Sequence, residues 1–163
     1  MRQGSSSSRI NGYTLIEMVV TLTIVSILAS VSIPSVKMAV VSQQESLLRE
    51  NLRDIRSAID EFHGDWNSGV ISRSTELSSE NGFPINLDVL VDGVPVVGKI
   101  NMKKKYLRRI PRDPFYKGVD GVSWRLIGYQ NNEGDKEWNK EDVYDVRSMS
   151  KKIALNKSYY YEW

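Results

Sequence analysis

The stretch NGYTLIEMVVTLTIVSILASVSIP, residues 11–34, has a single charged side chain, Glu17, near the start of a long apolar run. No other charged residue occurs between residues 13 and 36. A helix of this length rises about 36 Å at ~1.5 Å per residue, enough to cross a hydrocarbon layer of about 30 Å. The stretch therefore predicts a transmembrane helix over residues 13–36, and its one acid needs a physical reason.

The charges that flank this helix predict its orientation. Arg2 and Arg9 precede it, whereas only Lys37 follows closely. Because positive charge is retained on the cytoplasmic side, we expect the N-terminus in the cytoplasm and the rest of the chain outside it. A cleaved secretory signal peptide is the alternative, but the apolar run is longer than the usual signal and continues to Val36.

Composition excludes several chemistries. The chain has 163 residues, a formal net charge of +2 and no cysteine, so a disulfide, a thiolate metal site and a cysteine nucleophile are all absent. His63 is the only histidine, and the sequence contains no phosphate-binding glycine loop, no H-E-x-x-H and no nucleophile elbow. We therefore expect neither an enzyme nor a cofactor.

Beyond the apolar run the pattern becomes that of an amphipathic helix. Apolar residues recur every three or four positions, which is typical of one buried helix face: Leu48, Leu52, Ile55, Ile59 and Phe62. We expect residues 37–64 to continue the same helix, with Gly64 as its stop and a bend near Pro34, which has no N–H to donate. The result is one helix, membrane-spanning in its first half and amphipathic in its second.

Residues 65–163 predict a small head made of short elements. Asn86 can cap a brief helix that ends near Asp92-Gly93. Three segments are rich in β-branched and aromatic residues and read as strands, the first two as an antiparallel pair: 124–129, 143–148 and 158–163. The predicted fold class is α+β, with a long N-terminal helix packed on a small antiparallel sheet.

The segment GYTLIE, residues 12–17, resembles the processing site of type IV pilin-like proteins, a family that includes type IV pilins and the pseudopilins of type II secretion. The resemblance implies that a prepilin peptidase removes residues 1–12 by cutting between Gly12 and Tyr13, and that Tyr13 is then methylated. It also implies that Glu17, the fifth residue of the mature chain, acts in assembly.

Glu17 also needs a partner on physical grounds. An ionised side chain at membrane depth costs several kcal/mol unless it is paired, for which reason such residues usually mark function. Cleavage after Gly12 would create an amine four residues before Glu17. The resemblance implies that this amine meets Glu17 of a neighbouring subunit. A pair within one helix is the alternative, since positions four apart share a face.

Motifs in the head narrow the resemblance to the G-type major pseudopilins of type II secretion. They are YLRRIPRDPF (106–115), GYQNN (128–132) and DVYDVRS (142–148). The resemblance implies a single-pass inner-membrane protein with a periplasmic head, which polymerises into a periplasmic filament that drives protein export. Its implied partners are further copies of itself, the prepilin peptidase, an inner-membrane assembly platform, minor pseudopilins and membrane lipid.

Two other functions remain open. A surface type IV pilin or competence pilin has the same N-terminal features, although such pilins often close a C-terminal loop with a disulfide, which this chain cannot form. A simple membrane-anchored binding module would explain the helix and the head, but it would not explain the GYTLIE pattern.

Many G-type pseudopilins bind calcium in their last loop. The matching loop here, SMSKKIALNKSY (148–159), has no acid and three lysines, so we expect no calcium there. Asp135, Asp142 and Asp145 form an alternative group of oxygen ligands, but acids in a polar loop are more often merely solvated.

The densest basic cluster could contact DNA or acidic lipid headgroups: Lys99, Lys103, Lys104, Lys105, Arg108, Arg109 and Arg112. No repeated aromatic stacking platform accompanies it, so we do not expect a nucleic-acid partner. We favour a solvated loop or pairing with acidic residues of another subunit.

Overall fold

The computed structural model describes residues 12–74, 76–116, 118, 123–132 and 137–163, with only the backbone described for residues 31–35. Its elements are, in chain order, α1 (Leu15–Asn67), α2 (Asp88–Asp92), β1 (Val94–Pro95), β2 (Lys103–Lys104), β3 (Trp124–Ile127), β4 (Asp145–Ser148) and a 3₁₀ turn (Tyr160–Glu162). The predicted α+β class is confirmed. The chain divides into two compact units, Met1–Val40 and Val41–Trp163.

The long helix is continuous over 53 residues. It ends at Asn67, one turn beyond the predicted stop at Gly64. The added turn carries Asp65 and Trp66, which bond to Lys104 and Ser78 respectively, so tertiary contacts outweigh the weak helix propensity of glycine. Pro34 lies among the residues whose side chains are outside the described part, and the bend there stays a prediction.

The apolar stripe of α1 forms the core of the second unit. All five residues of the stripe are at most 2% exposed. They form one buried cluster with side chains from later segments of the unit, including Ile71, Leu90, Val94, Val143, Val146 and Tyr160. Burying one such side chain contributes about 1.5–3 kcal/mol, so this stripe supplies much of the driving force for folding the head.

Two antiparallel strand pairs lie in this unit. β3 pairs with β4 in a register that runs from Trp124↔Ser148 to Ile127↔Asp145, within the two segments predicted to pair. β1 pairs with β2 through only two residues each, too short for the sequence pattern to predict. The described residues thus contain two separate two-stranded sheets.

The strand predicted over residues 158–163 is wrong. This segment contains one isolated bridge, Ile153↔Tyr159, followed by the 3₁₀ turn. The turn lets Tyr160 stack on Phe115 at 4.0 Å between ring centroids, with Trp163 edge-on to Tyr160 at 5.2 Å. The aromatic residues are dense here because they pack in a turn, whereas a strand would direct alternate rings to opposite faces.

Side-chain to backbone bonds hold two of the predicted turns. Asn86 Oδ1 accepts the Val89 N–H at 3.1 Å, but α2 begins one residue later than predicted, so Leu87 and not Asn86 is its N-cap residue. Asp113 is 3% exposed, accepts the Phe115 N–H at 2.7 Å and also accepts the Ser148 hydroxyl. The carboxylate of Asp113 therefore fixes the turn at Pro114 and ties it to β4.

Gly82→Ala should strongly destabilise the head. Gly82 has φ +80°, and a Cβ there would lie 2.5 Å from the Trp66 ring. Backbone strain and the clash together predict a loss of about 2–4 kcal/mol in the free energy of unfolding, measured by urea titration of the full chain in detergent with tryptophan fluorescence.

Gly69→Ala is the matched control for this substitution. Gly69 has φ +72° but nothing within 4 Å of its added Cβ, so only the backbone term of about 1 kcal/mol applies. Equal losses for the two variants would contradict the packing role assigned to Gly82.

Candidate functional site

The start of α1 is capped by Thr14. Its Oγ1 accepts the Glu17 N–H at 3.3 Å, and its carbonyl oxygen accepts the Met18 N–H at 3.2 Å. Glu17 is consequently the third residue of the helix, where a negative charge interacts favourably with the helix dipole. The spacing Thr14-x-x-Glu17 is that of a capping box, a local sequence signal that also marks this helix start.

Gly12 and Tyr13 precede the helix in non-helical backbone, and both are exposed. Tyr13 is 75% exposed, and a Cβ on Gly12 would meet nothing within 4 Å. The peptide bond between them is therefore accessible to an enzyme. Its cleavage and the methylation of Tyr13 stay predictions.

The first half of α1 exposes apolar side chains on all of its faces. Each of the following is about half exposed or more: Leu15, Ile16, Met18, Val19, Val20, Leu22, Ile24, Val25, Ile27 and Leu28. A helix that is apolar all round is stable when lipid or other helices surround it. Glu17, which is also exposed, is the only acid on this surface.

The hydroxyl groups on this part of α1 are satisfied by the helix itself. Thr23 donates to the Val19 carbonyl at 2.8 Å and Ser26 to the Leu22 carbonyl at 2.7 Å. Thr21 and Ser30 make the same kind of contact one turn back. Every Ser and Thr between residues 21 and 30 is thus compatible with surroundings that offer no water.

Within the described side chains, no helix offers an apolar stretch long enough for a membrane span. The predicted span over residues 13–36 includes residues 31–35, whose side chains lie outside that part. The span stays a prediction.

A buried carboxylate on α1 fastens the C-terminal segment. Glu45 is 7% exposed, and its Oε1 accepts the Leu155 N–H at 2.7 Å and the Tyr160 hydroxyl at 2.9 Å. Burial first, and then the bond to Glu45, raises the pKa of Tyr160 to about 12. Glu45 thereby anchors the C-terminal loop that contains Leu155 and Tyr160.

Sequence reasoning missed Glu45, although a signal for it exists. Glu45 lies three residues before Leu48 and so continues the apolar stripe of α1 toward the N-terminus. A charged residue at a stripe position predicts a buried polar contact. Its partners are more than 100 residues away, and no local pattern identifies them.

A second polar cluster joins the end of α1 to β2. Lys104 Nζ lies 2.5 Å from Asp65 Oδ2 and 2.8 Å from Glu61 Oε1, and the Tyr106 hydroxyl donates to Asp65 at 2.8 Å. Hydrogen bonds to Asp65 and Glu61 raise the pKa of Lys104. Burial alone would raise the pKa of Asp65, but the bonds from Lys104 and Tyr106 lower it overall.

The alternative calcium ligands are engaged elsewhere or outside the described part. Asp142 is fully buried and accepts the Ser79 hydroxyl and the Tyr129 N–H, both at 2.8 Å. Asp145 forms an ion pair with Arg56 at 2.6 Å. Asp135 lies outside the described residues, which contain no group of three metal-ligating side chains. The absence of calcium stays a prediction.

His63 packs in the head. Its ring stacks on Phe83 at 4.2 Å between centroids, its Nδ1 lies 3.1 Å from the Gly82 carbonyl oxygen, and its Nε2 lies 2.9 Å from the Asn67 amide. These contacts occupy both ring nitrogens within the protein.

Comparison with known families gives a match at the N-terminus. The model of the prokaryotic N-terminal methylation motif matches residues 7–33. This motif supports a type IV pilin-like filament subunit that is processed by a prepilin peptidase and anchored in the membrane. Comparison with curated proteins and with solved structures gives no match.

Glu45→Ala should release the C-terminal segment. The substitution leaves the Leu155 N–H and the Tyr160 hydroxyl without their acceptor, a loss of about 2 kcal/mol. We expect trypsin to cut the full chain at Lys151 and Lys152 about tenfold faster or more. Glu50→Ala, at an exposed position of the same helix, is the control. Unchanged cleavage in the Glu45 variant would refute the anchor.

The stability that the Tyr160 hydroxyl contributes should be lost at alkaline pH, and comparison with Tyr160→Phe should reveal this loss. The pKa of Tyr160 rises from its ordinary value near 10 to about 12, so its contact stabilises the fold fully below pH ~10 and is lost as pH rises toward 12. The stability difference between the unmodified protein and this variant, about 1–2 kcal/mol at pH 8, should therefore shrink over that window.

This pH dependence is measured by urea unfolding at each pH. Tyr159→Phe, at the exposed neighbouring position, is the control. A difference between the unmodified protein and Tyr160→Phe that stays constant from pH 8 to ~12 would contradict the assignment.

Proposed function

We propose that this chain is the structural subunit of a type II secretion pseudopilus, with no catalytic role of its own. Prepilin peptidase removes residues 1–12, and the mature protein polymerises in the periplasm to drive protein export. The observation that carries the proposal is the apolar surface around the first half of α1, on which Glu17 is the only described charged residue, preceded by an accessible Gly12-Tyr13 bond.

This surface supports two successive environments for the same helix. As a monomer, the subunit is stored in the inner membrane, where lipid covers the apolar side chains. In the filament, the helices of neighbouring copies replace the lipid. The hydroxyl groups of residues 21–30 need no new partners in either environment, because each one bonds to its own helix.

Glu17 makes the docking of the helix in the filament specific. In the proposed filament, the methylated amine of Tyr13 from one copy pairs with Glu17 of the next. Breaking a buried ion pair by removing one partner typically costs about 3–5 kcal/mol, because the other charge is left uncompensated. A subunit that docks in the wrong axial position leaves both charges unpaired.

The head motifs favour the G-type pseudopilins within the wider family. Asp113, in the motif 106–115, accepts a hydrogen bond from the Ser148 hydroxyl at the end of the motif 142–148, so these two motifs pack together. The absence of cysteine also favours a pseudopilin over a surface or competence pilin.

The test is assembly in the presence of a complete secretion machinery. The unmodified chain should form filaments that electron microscopy detects after overproduction. Glu17→Ala should reach the membrane fraction at normal levels yet form no detectable filaments, because the partner charge is left uncompensated.

Glu50→Ala is the control for the loss of one acid, since Glu50 lies on the exposed face of α1 in the second unit. This variant should assemble normally. Normal filaments from Glu17→Ala, or no filaments from the unmodified chain, would contradict the proposed function.

A further inference from the structure

The connection between β1 and β2, residues 96–102, forms a tip that backbone bonds hold on both sides. The Val96 N–H donates to the Met102 carbonyl at 3.0 Å across the hairpin. On its other side, the Val97 N–H donates to the Val70 carbonyl at 2.9 Å, next to the bridge between Ile71 and Val96. The tip is therefore a fixed part of the head.

Apolar side chains cluster at this tip and face water. Ile100 is 94% exposed, more than any other large hydrophobic residue in the described part of the chain. Val97 is 59%, Met102 49% and Val70 40% exposed, and the backbone bonds place all of them at the same end of the head. A contiguous exposed apolar group of this kind marks an interaction surface.

Lysines surround the apolar tip, and no acid lies between residues 97 and 105. Lys103 lies on the face of β2 opposite Lys104, since successive side chains alternate along a strand, and Lys105 follows directly after β2. Lys104 is held by Glu61 and Asp65, whereas Lys99, Lys103 and Lys105 are exposed and form no ion pair with any described residue. The tip thus presents three available positive charges around an apolar centre.

We propose that this hairpin tip docks on an anionic lipid surface. Ile100, Val97 and Met102 enter the boundary between headgroups and acyl chains, while the three lysines contact the anionic headgroups. Interfacial binding of this kind combines buried apolar area with electrostatic attraction to acidic lipids. The proposal does not depend on filament assembly.

Charge disfavours a second copy of the chain as the occupant. Among the described residues outside α1 and the tip, the most exposed aliphatic side chains are Ile153 and Leu155. They lie among Lys151, Lys152 and Lys157, so a tip that docked there would bring like charges together. An anionic bilayer offers both an apolar interior and a complementary surface charge.

The test uses the full chain with one fluorescent probe. Because the chain has no cysteine, Ile100→Cys provides a unique site for an environment-sensitive apolar dye. In the first arrangement, the labelled protein is reconstituted into host vesicles of phosphatidylcholine alone or of phosphatidylcholine and phosphatidylglycerol in equal parts. In the second arrangement, the protein is in host vesicles of phosphatidylcholine alone, and acceptor vesicles of either composition are added.

We expect a blue shift of the dye emission whenever phosphatidylglycerol is present, in the host or the acceptor vesicle, and we expect added salt to reverse this shift.

Replacing Lys99, Lys103 and Lys105 by Gln should weaken the lipid response about tenfold or more. Replacing Lys151, Lys152 and Lys157 by Gln changes the net charge equally and should leave the response intact. A dye on Ile153→Cys, at an exposed apolar position away from the tip, should not shift.

Three results would overturn the proposal. One is the absence of a shift with phosphatidylglycerol in both arrangements. Another is an equal loss of response in the two lysine variants, which would reveal attraction by net charge alone. The third is a shift in pure phosphatidylcholine that grows with protein density, which would identify a second copy of the chain as the occupant. Unfolding midpoints equal to that of the unmodified protein establish that the variants are folded.

Discussion

The head depends on the burial of one face of α1. The stripe from Leu48 to Phe62 is almost completely excluded from water, and it contacts side chains from nearly every later segment. The short strands and turns of the head could not form a core by themselves, because two-stranded sheets bury too little apolar area to be stable alone. The helix therefore acts as the template on which the rest of the unit folds.

Polar contacts at three positions along the same helix fasten the segments that cover this stripe. Glu45 holds the C-terminal segment, Arg56 holds β4 through Asp145 and the Val146 carbonyl, and the acids at the end of α1 hold Lys104 in β2. In each case a helix side chain bonds to a segment at least 39 residues later in the chain. The apolar stripe drives collapse, and these contacts select the position of each covering segment.

The first half of α1 differs from the second in its surface. It has no stripe, since apolar side chains occupy all of its faces, and its hydroxyl groups are satisfied internally. Such a surface needs an apolar environment from outside the chain. One helix thus combines a segment that folds the head with a segment whose stability depends on lipid or on other subunits, which is the physical basis of the proposed filament subunit.

Local patterns predicted the features that depend on local physics. The spacing of Leu48, Leu52 and Ile55 predicted the helix and its buried face, and the β-branched and aromatic composition of 124–129 and 143–148 predicted the strands that pair as β3 and β4. The C-terminal strand was wrong because strands and packed aromatic turns have similar compositions, and the stack of Tyr160 on Phe115 joins residues 45 positions apart.

Other contacts over long sequence distances could not be predicted either, because local patterns do not identify distant partners. The charge of Glu45 on an apolar stripe indicated a buried contact, but nothing near it in sequence identified the partners. At the N-terminus the relevant pattern is local, so the sequence alone indicated the Gly12-Tyr13 bond and Glu17, and the methylation motif matches there.

The most direct test of the central claim is tandem mass spectrometry of the N-terminus of the protein isolated from membranes that contain a prepilin peptidase. The account predicts a chain that begins at Tyr13 and carries a methyl group on its amine. A protein that retains Met1 would contradict it, because no new amine would then lie four residues before Glu17.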